Sequence, residues 1–341
     1  KYVIKTRPSE IFINFNFNYK LIINILIFGK DIFKLNKKNI FFNLISFLRD
    51  MRIKTIIQIV KPSLIFTFID NQNRVGRVLE KYFPNINYIT VQNGLRPTWE
   101  VSPICKHDKY FSFSDRQIET LKFMGWKFNT TFANGSLRAA LSLQEKKLDF
   151  SICRDILVIS GWRGNIEIDK DYLNQIESLK LMNQLLFNYT KHKKIRLSIL
   201  TKYTKSDKDW YVPYYRMSEE DFYKSIYGSD VEIIINKKGG FLYKEAAKSK
   251  LSIGTLSSAI YELYLYGFDS FYLNLHNSDI YHKDFPDEIC YKISSQKKLN
   301  RILDKKLSKR FNGSLIKKES NQKARNNLKL LKNVIKQNIK F

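Results

Sequence analysis

The sequence predicts an α/β protein with two Rossmann-like domains and a cleft between them. Short apolar strands alternate with helical segments, which is typical of βαβ units and of a mainly parallel sheet. The alternation stops at a polar, charged bridge over residues 144–149 and then starts again. The chain of 341 residues is long enough for two domains of ordinary size. We therefore expect a first domain over residues 1–145, a second over 146–305 and a basic C-terminal helix over 306–341.

The first domain is predicted to alternate strands and helices after an apolar N-terminal stretch. Residues 11–28 are apolar with interspersed asparagines, and Asn24 divides the apolar run before it reaches the length of a membrane span. We interpret this stretch as buried strand and loop. The patterns that follow predict helices over 39–60 and 74–83, strands over 63–69, 86–91, 109–113 and 128–133, and a helix from the cap Ser114–Asp115 to Met124.

The second domain repeats this alternation. Its patterns predict strands over 156–159, 195–200 and 231–235, with helices over 172–189, 219–226 and 242–249. A further strand over 251–253 stops at Gly254, and a helix over 259–266 follows. Gly267 is placed to end that helix in a left-handed conformation, and residues 271–273 form the next strand.

Composition limits the classes of function. The hydrophobic fraction of 44% supports packed cores, and 59 Lys and Arg against 32 Asp and Glu give a net charge of +27. Such a surface attracts polyanions, which include nucleotides, acidic glycans, anionic lipids and nucleic acids. Three separated cysteines without a CxxC pair fit a reducing cytoplasm. The acidic pair Asp207 and Asp209 lies in a polar loop, so we expect no metal site.

The stretch over residues 251–274 contains a candidate anion site. Its loop consists of small and hydroxyl-bearing side chains, namely Gly254, Thr255, Ser257 and Ser258. A loop of this kind before a helix favours a phosphate, because unpaired N–H groups and the positive end of the helix dipole meet there. Glu262 lies about one turn beyond Ser258 on the same side, where it could bind the hydroxyls of a ribose. The alternative is a serine N-cap on an ordinary helix.

A second motif, VQNGLRP, occupies residues 91–97 after a predicted strand. Asn93 and Gly94 permit a tight turn that exposes backbone N–H groups. Arg96 can then bind a carboxylate or phosphate through two hydrogen bonds. The alternative is a simple turn with an exposed arginine.

Further polar residues follow strands of the second domain. Ser160, Gly161 and Arg163 lie in the segment SGWRG, where glycines let the chain approach a ligand and Arg163 could neutralise a departing phosphate. Lys202 is a second candidate for the donor phosphates. The segment KKGG over residues 237–240 could offer backbone N–H groups.

Two residues of the first domain are candidates for a general base. Asp70 ends a predicted strand, where its carboxylate could take the proton of an acceptor hydroxyl. It could equally cap the helix that starts near Asn73. His107, expected in a loop before the third strand, is the alternative base, although a single histidine in a loop is usually solvated.

The motifs resemble segments of two-domain, GT-B type glycosyltransferases that build bacterial surface carbohydrates. The Ser-Ser-x-x-x-Glu pattern of residues 257–262 is most similar to enzymes that use cytidine-activated donors. The Gln-Asn-Gly-x-Arg of residues 92–96 looks like a segment of the same broad class. Leu263 stands where the family usually has alanine, and Asn93 stands where related CDP-glycerol glycerophosphotransferases tend to have histidine.

The resemblance implies a cytoplasmic glycosyltransferase of capsule or lipopolysaccharide synthesis that uses no metal and no bound cofactor. Its substrate would be a nucleotide sugar, with a CMP-linked acidic sugar such as Kdo or a nonulosonic acid favoured, and its acceptor a glycan or lipid-linked glycan. The expected donor residues are Thr255, Ser257, Ser258, Glu262 and Arg163, and the expected acceptor residues are Asp70, Asn93 and Arg96.

Other functions remain open from the sequence. A transfer of glycerol phosphate or ribitol phosphate from a CDP donor keeps the fold, but Asn93 in place of histidine weakens it. A nucleic-acid-binding protein would fit the charge, but no helix-turn-helix, RNA-recognition or zinc signature occurs. The basic tail is expected to pack on the body. The alternative is that the tail, or the apolar stretch over 11–28, contacts an anionic membrane surface.

Overall fold

A computed structural model shows two parallel β-sheets flanked by helices. The structure describes residues 15–28, 40–70, 74–96, 105–145, 148–162, 170–203, 218–237, 239–255, 257–275 and 285–339. This is the α/β architecture that the alternating pattern predicts.

The first sheet contains four parallel strands in the order β1-β2-β3-β4. Its strands are β1 (Leu64–Thr67), β2 (Asn87–Val91), β3 (Lys106–Ser112) and β4 (Lys127–Ala133). The helices of this half are α1 (Phe15–Phe28), α2 (Ile40–Val60), α3 (Arg74–Tyr82), α4 (Asp115–Phe123) and α5 (Leu137–Glu145). Ser114 caps α4 as predicted, because its side chain accepts a hydrogen bond from the N–H of Gln117.

The second sheet contains six parallel strands in the order β10-β9-β8-β5-β6-β7. Its strands are β5 (Arg154–Ile159), β6 (Leu197–Leu200), β7 (Glu232–Ile234), β8 (Ser249–Gly254), β9 (Ser270–Asn274) and β10 (Cys290–Lys292). The helices are α6 (Lys170–Lys191), α7 (Glu219–Tyr227), α8 (Phe241–Ala247), α9 (Ala259–Leu265), α10 (Gln296–Leu307) and α11 (Gly313–Asn338). Because Ile159 of β5 pairs with Gly254 of β8, the two predicted ligand segments leave the sheet side by side.

Two predictions for the first half are wrong. Residues 15–28 form helix α1, not strand and loop, and residues 11–14 lie outside the described residues. His107 and Asp108 belong to strand β3, not to a loop, because His107 pairs with Phe128 and extends the ladder toward the N-terminus. A histidine that packs among rings behaves as an apolar strand residue, and its polar neighbours concealed this in the sequence.

The main hydrophobic core joins the two halves. It is centred on the second sheet, but Leu95, Phe113 and Leu143 of the first half belong to the same buried cluster. Helix α11 returns to the first half, where Leu331 and Val334 pack against Ile89 of β2. The C-terminal basic segment therefore packs on the body of the protein. Among the described helices, none is long and apolar enough to cross a membrane.

Candidate functional site

Gln92 fixes the turn that follows β2. Its amide nitrogen donates to the carbonyl oxygen of Gly94 at 2.9 Å and to Gln117 Oε1 at 2.6 Å. Its amide oxygen accepts from Ser112 Oγ at 2.7 Å and from the N–H of Phe113 at 2.9 Å. All these bonds lie at the carboxyl edge of the first sheet. The buried amide of Gln92 therefore fixes the conformation of the turn. The sequence indicated no separate role for Gln92.

Asp70 and Arg96 form a buried ion pair at the same edge. Arg96 donates from Nε to Asp70 Oδ2 at 3.1 Å and from an Nη to Asp70 Oδ1 at 2.5 Å. Tyr110 donates its hydroxyl to Asp70 Oδ2 at 3.0 Å, and Arg96 also contacts Asn93 Oδ1 at 2.5 Å. Asp70 is fully buried, and both of its oxygens have protein donors. The pair therefore holds the turn, and the predicted roles of Asp70 as base and of Arg96 as ligand residue stay predictions.

His107 lies inside an aromatic cluster beside this pair. Its ring centroid is 5.1 Å from that of Tyr110, 5.5 Å from that of Trp126 and 5.9 Å from that of Phe128. Its Nδ1 lies 3.0 Å from the hydroxyl oxygen of Thr90. Burial lowers the pKa of His107 to about 4, so the imidazole is neutral at neutral pH. A base in this position has no path to a substrate in the described conformation, and its catalytic role stays a prediction.

The hydroxyl-bearing loop follows β8 as the sequence predicts. Ser257 Oγ accepts a hydrogen bond from the N–H of Ala259 at 3.3 Å, whereas Ser258 makes no side-chain cap. Helix α9 is short, and Gly267 ends it with a φ of +83° as expected. A β-carbon at Gly254 would lie 3.0 Å from Ile260 Cγ1 and 3.2 Å from the carbonyl oxygen of Ile159, so a side chain there would crowd the start of the loop. Thr255 is buried beside this exit.

The turn of the first half and the loop of the second half meet. A β-carbon built on Gly94 would lie 3.7 Å from Ser258 Oγ, which is van der Waals distance. The rings of Phe113 and Tyr261 lie 6.4 Å apart across the same boundary. The two motifs that resemble glycosyltransferase segments are therefore neighbours in space, although about 160 residues separate them in the sequence.

Glu262 connects the two halves. It is fully buried, and its Oε2 accepts from Ser136 Oγ at 2.5 Å and from the hydroxyl of Tyr243 at 2.7 Å. Its Oε1 accepts from an Nη of Arg138 at 2.5 Å. The carboxylate raises the pKa of Arg138 and, together with burial, that of Tyr243. Ser136 and Arg138 come from the first half, so Glu262 links α9 to the start of α5. Its predicted role toward a ribose stays a prediction.

A further buried carboxylate, Glu219, joins the ends of β5 and β6. It accepts hydrogen bonds from the hydroxyl of Ser160, from the N–H of Lys202 at 2.8 Å and from the N–H of Tyr203 at 3.2 Å. Tyr223 donates its hydroxyl to Ser160 Oγ at 2.7 Å. Burial raises the pKa of Glu219. In the sequence Glu219 is one of several acids that begin a helix, and nothing separates it from an ordinary first-turn acid.

The other predicted residues of the second half lie in different surroundings. Gly161 is buried directly after Ser160, while Arg163 lies outside the described residues. Lys202 is exposed at the end of β6, with its amine 5.3 Å from the ring centroid of Tyr203. Gly240 packs against the first half, since a β-carbon there would lie 2.6 Å from Ser142. In this conformation Gly240 therefore allows the two halves to approach each other closely.

Acidic and metal-ligating side chains do not gather in the described part of the chain. Within the residues that the structure describes, no group of three or more His, Cys, Asp or Glu side chains could hold a metal ion. Asp207 and Asp209 lie outside those residues.

Comparisons with known proteins identify the fold. No protein-family model and no curated protein matches the chain. Among solved structures, one assigned as a UDP-N-acetylglucosamine 2-epimerase from Listeria monocytogenes matches with a TM-score of 0.55 and 13% identity, over 86% of this chain and 80% of that chain. The MnaA–UDP co-structure from S. aureus matches with a TM-score of 0.50 and 13% identity, over 85% and 79%. The chain has a GT-B-like α/β fold, and the predicted fold class is confirmed.

Proposed function

We propose that this protein is a nucleotide-sugar enzyme, and within that class a glycosyltransferase of bacterial surface polysaccharide synthesis. The proposed reaction moves an acidic sugar from a CMP donor to a glycan acceptor. One observation supports this most: the turn at Gly94 and the loop at Ser258, one from each half, meet at the carboxyl edges of two parallel sheets. Ligands of open α/β sheets bind at such edges.

The fold and the charge are compatible with a nucleotide donor. The S. aureus structure of similar fold contains UDP, which shows that this architecture can bind a nucleotide. In this chain Thr255, Ser257 and Ser258 would contact the donor phosphates. Lys202 follows β6, which β5 separates from β8, and Arg163 follows β5 in the sequence. The net charge of +27 favours an anionic substrate.

The transfer breaks the bond between the anomeric carbon and the phosphate oxygen of the donor, and forms a bond from the anomeric carbon to an acceptor hydroxyl oxygen. CMP leaves with the bonding electrons, and cationic side chains such as Arg163 and Lys202 would stabilise its charge. A base takes the acceptor proton. In this proposal Asp70 does so after one of its oxygens is released, either Oδ1 from Arg96 or Oδ2 from both Arg96 and Tyr110. His107 is left out because the aromatic cluster encloses it.

Glu262 would act on the donor ribose when the cleft opens. In the described conformation its oxygens are bound to Ser136, Arg138 and Tyr243. Two of these partners belong to the first half, so separation of the halves would release them and leave a carboxylate beside Ser258 for the ribose hydroxyls.

Three alternatives share the same test. A sugar epimerase is favoured by the assigned activity of the Listeria structure, and a CDP-glycerol or CDP-ribitol phosphotransferase by the related sequence motifs. A nucleic-acid-binding protein is favoured by the charge alone. The epimerase would bind UDP and the phosphotransferase would bind CDP. The nucleic-acid-binding protein would bind no free nucleotide through the loop at Ser258.

The test is the thermal stability of the purified protein with CMP, CDP, UDP or GDP, each with and without Mg²⁺. A ligand that binds only the folded state raises the melting temperature. We expect CMP to stabilise most, with no need for Mg²⁺, and we expect Ser258→Ala to remove the shift. Ser229→Ala is the matched control, because this exposed serine lies outside the loop and donates a hydrogen bond to its neighbour Asp230. A shift with UDP or CDP would replace the donor assignment. No shift, or an equal shift in Ser258→Ala, would contradict a donor site in this loop.

A further inference from the structure

Helix α1 is oriented opposite to an ordinary surface helix. Over residues 20–27, whose side chains the structure describes, the one buried side chain is Asn24. Its amide donates to Thr55 Oγ1 at 2.9 Å and to Gln58 Oε1 at 2.8 Å on α2. A surface helix normally turns its apolar side inward and its polar side outward. Here a polar contact attaches α1 to α2, and three of the apolar residues are left exposed while Leu21, Ile23 and Ile25 are half-buried.

The outward side of α1 is strongly apolar. Leu26 is 74% exposed, Ile22 56% and Ile27 55%. We call these three residues the α1 apolar face. Single exposed apolar residues are common on protein surfaces, but three within six positions of one helix form a patch of the kind that marks an interaction site. On the adjoining α2, Leu44 and Leu48 are also exposed and lie one turn apart.

The charge around this face identifies the kind of partner. Lys20 of α1 and Arg49 of α2 are exposed. The one acid of these two helices, Asp50, already forms ion pairs with Arg77 at 2.9 Å and with Arg74 at 3.6 Å. Apolar side chains bordered by cations match a membrane interface with anionic headgroups, where the chains enter the acyl boundary and the cations meet phosphate.

The geometry favours contact with a membrane surface over insertion across it. The 14 residues of α1 span about 21 Å, which is short of the ~30 Å hydrocarbon core. The hydrogen bonds of Asn24 also keep α1 against α2. The basic tail is a weaker candidate, because Leu331 and Val334 of α11 are buried against the first sheet.

We infer that the α1 apolar face docks this protein on an anionic phospholipid surface, with α1 lying in the plane of the interface. This inference stands on α1 and α2 and does not depend on the proposed catalytic function. A second copy of the chain is the competing occupant of the face, and the experiment separates the two.

The experiment is co-sedimentation of the full chain with phosphatidylcholine vesicles that contain about one third phosphatidylglycerol, and with pure phosphatidylcholine vesicles. We expect binding to the anionic vesicles and little to the neutral ones. The variant Ile22→Glu/Leu26→Glu should bind at least about tenfold more weakly, since it places two carboxylates in the interface. Leu181→Glu, at an exposed leucine of α6 in the second half, is the matched control and should bind as the wild type does. Both sites are exposed, so the melting temperature should hardly change.

A second variant locates the contact directly. Leu26→Cys in a Cys153→Ser background leaves only the buried thiols of Cys105 and Cys290, so an environment-sensitive fluorophore attaches at position 26. Its emission should shift to the blue with anionic vesicles. Wild-type protein that does not bind vesicles, a double variant that binds equally well, or no emission shift would overturn the inference. It would also be overturned by a dimer that the double variant abolishes without any vesicle binding by the wild type.

Discussion

Asp70 and Glu262 are two fully buried carboxylates with similar surroundings and different consequences. Each accepts a hydrogen bond from an arginine at 2.5 Å and from a tyrosine hydroxyl, at 3.0 Å for Asp70 and 2.7 Å for Glu262. The partners of Asp70, Arg96 and Tyr110, lie in the first half. Glu262 takes Arg138 from the first half and Tyr243 from the second. The first network therefore fixes one turn, whereas the second connects two domains.

The exposure of the two arginines separates the networks further. Arg96 is buried, whereas the side chain of Arg138 is 58% exposed. If the carboxylate is removed, water can replace it beside Arg138 but cannot easily replace it beside Arg96. The loss of an ionic partner should therefore cost more at Asp70 than at Glu262, although both carboxylates are equally buried.

The largest expected effect is that of Asp70→Asn. It leaves a buried guanidinium without its anion, so we expect the free energy of unfolding to fall by about 3–5 kcal/mol. Urea denaturation followed by circular dichroism measures it. The double variant Asp70→Leu/Arg96→Met removes both charges and should recover much of the loss. If Asp70→Asn lowers the free energy of unfolding by no more than the loss of an exposed ion pair does, the two networks do not differ as we expect.

The surroundings of Asp70 should also show a pH dependence, which comes from His107. His107 stacks beside Tyr110, and its pKa is lowered to about 4. As the pH falls from about 6.5 to about 4, the imidazole of His107 binds a proton in the unfolded chain but not in the folded one. The free energy of unfolding therefore decreases by about 3 kcal/mol over this range. His107→Gln should flatten this slope, which denaturation across the pH range measures. His192→Gln, at an exposed histidine, should leave it unchanged.

Glu262→Gln should lower the free energy of unfolding by less than Asp70→Asn does, but it should also change the cooperativity of unfolding. We expect a loss of about 1–3 kcal/mol, since Ser136 and Tyr243 lose a charged acceptor while Arg138 gains water. Because the link between halves weakens, unfolding should become less cooperative and depart from a single transition. Calorimetry of Glu262→Gln is compared with that of Tyr243→Phe. The second variant removes a donor within the second half and keeps the bonds of Glu262 to the first half. Identical transitions in the two variants would show that Glu262 does not couple the domains.

The smallest effect is expected for an exposed pair. Lys106 Nζ lies 2.6 Å from Glu80 Oε1, and both side chains are exposed. Lys106→Met should change the free energy of unfolding by less than about 1 kcal/mol, and the difference should shrink at high salt. This variant sets the scale against which the buried networks are measured in the same denaturation series.

Local patterns in the sequence were sufficient for most of the fold. Apolar runs bounded by turn residues located the strands of the first sheet and β5 to β9 of the second, whereas the short edge strand β10 was not predicted. Ser114 marked the start of α4, and Gly267 marked the end of α9. Helix α1 was missed because its polar residue faces inward, so its apolar pattern describes the exposed side. A periodicity argument assumes the opposite orientation.

The sequence indicated where the candidate residues lie along the chain, but it did not indicate which side chains they contact. Asp70, Arg96, Ser258 and Glu262 stood out because of their places at strand ends and helix starts. Their partners could not be inferred, since Ser136 lies 126 positions from Glu262 and Tyr110 lies 40 positions from Asp70. Such pairs arise from the packing of whole elements. Glu219 shows the same limit, because only the folded sheet brings it to the ends of β5 and β6.

The central claim is that a nucleotide binds where the turn of residues 92–96 meets the loop of residues 254–262. Hydrogen–deuterium exchange with and without CMP tests it most directly, because peptides from the two segments report separately. We expect CMP to slow exchange in both segments, and we expect Ser258→Ala to abolish the protection in both while Ser229→Ala preserves it. Protection confined to other regions, or no protection at a CMP concentration that saturates the protein, would contradict it.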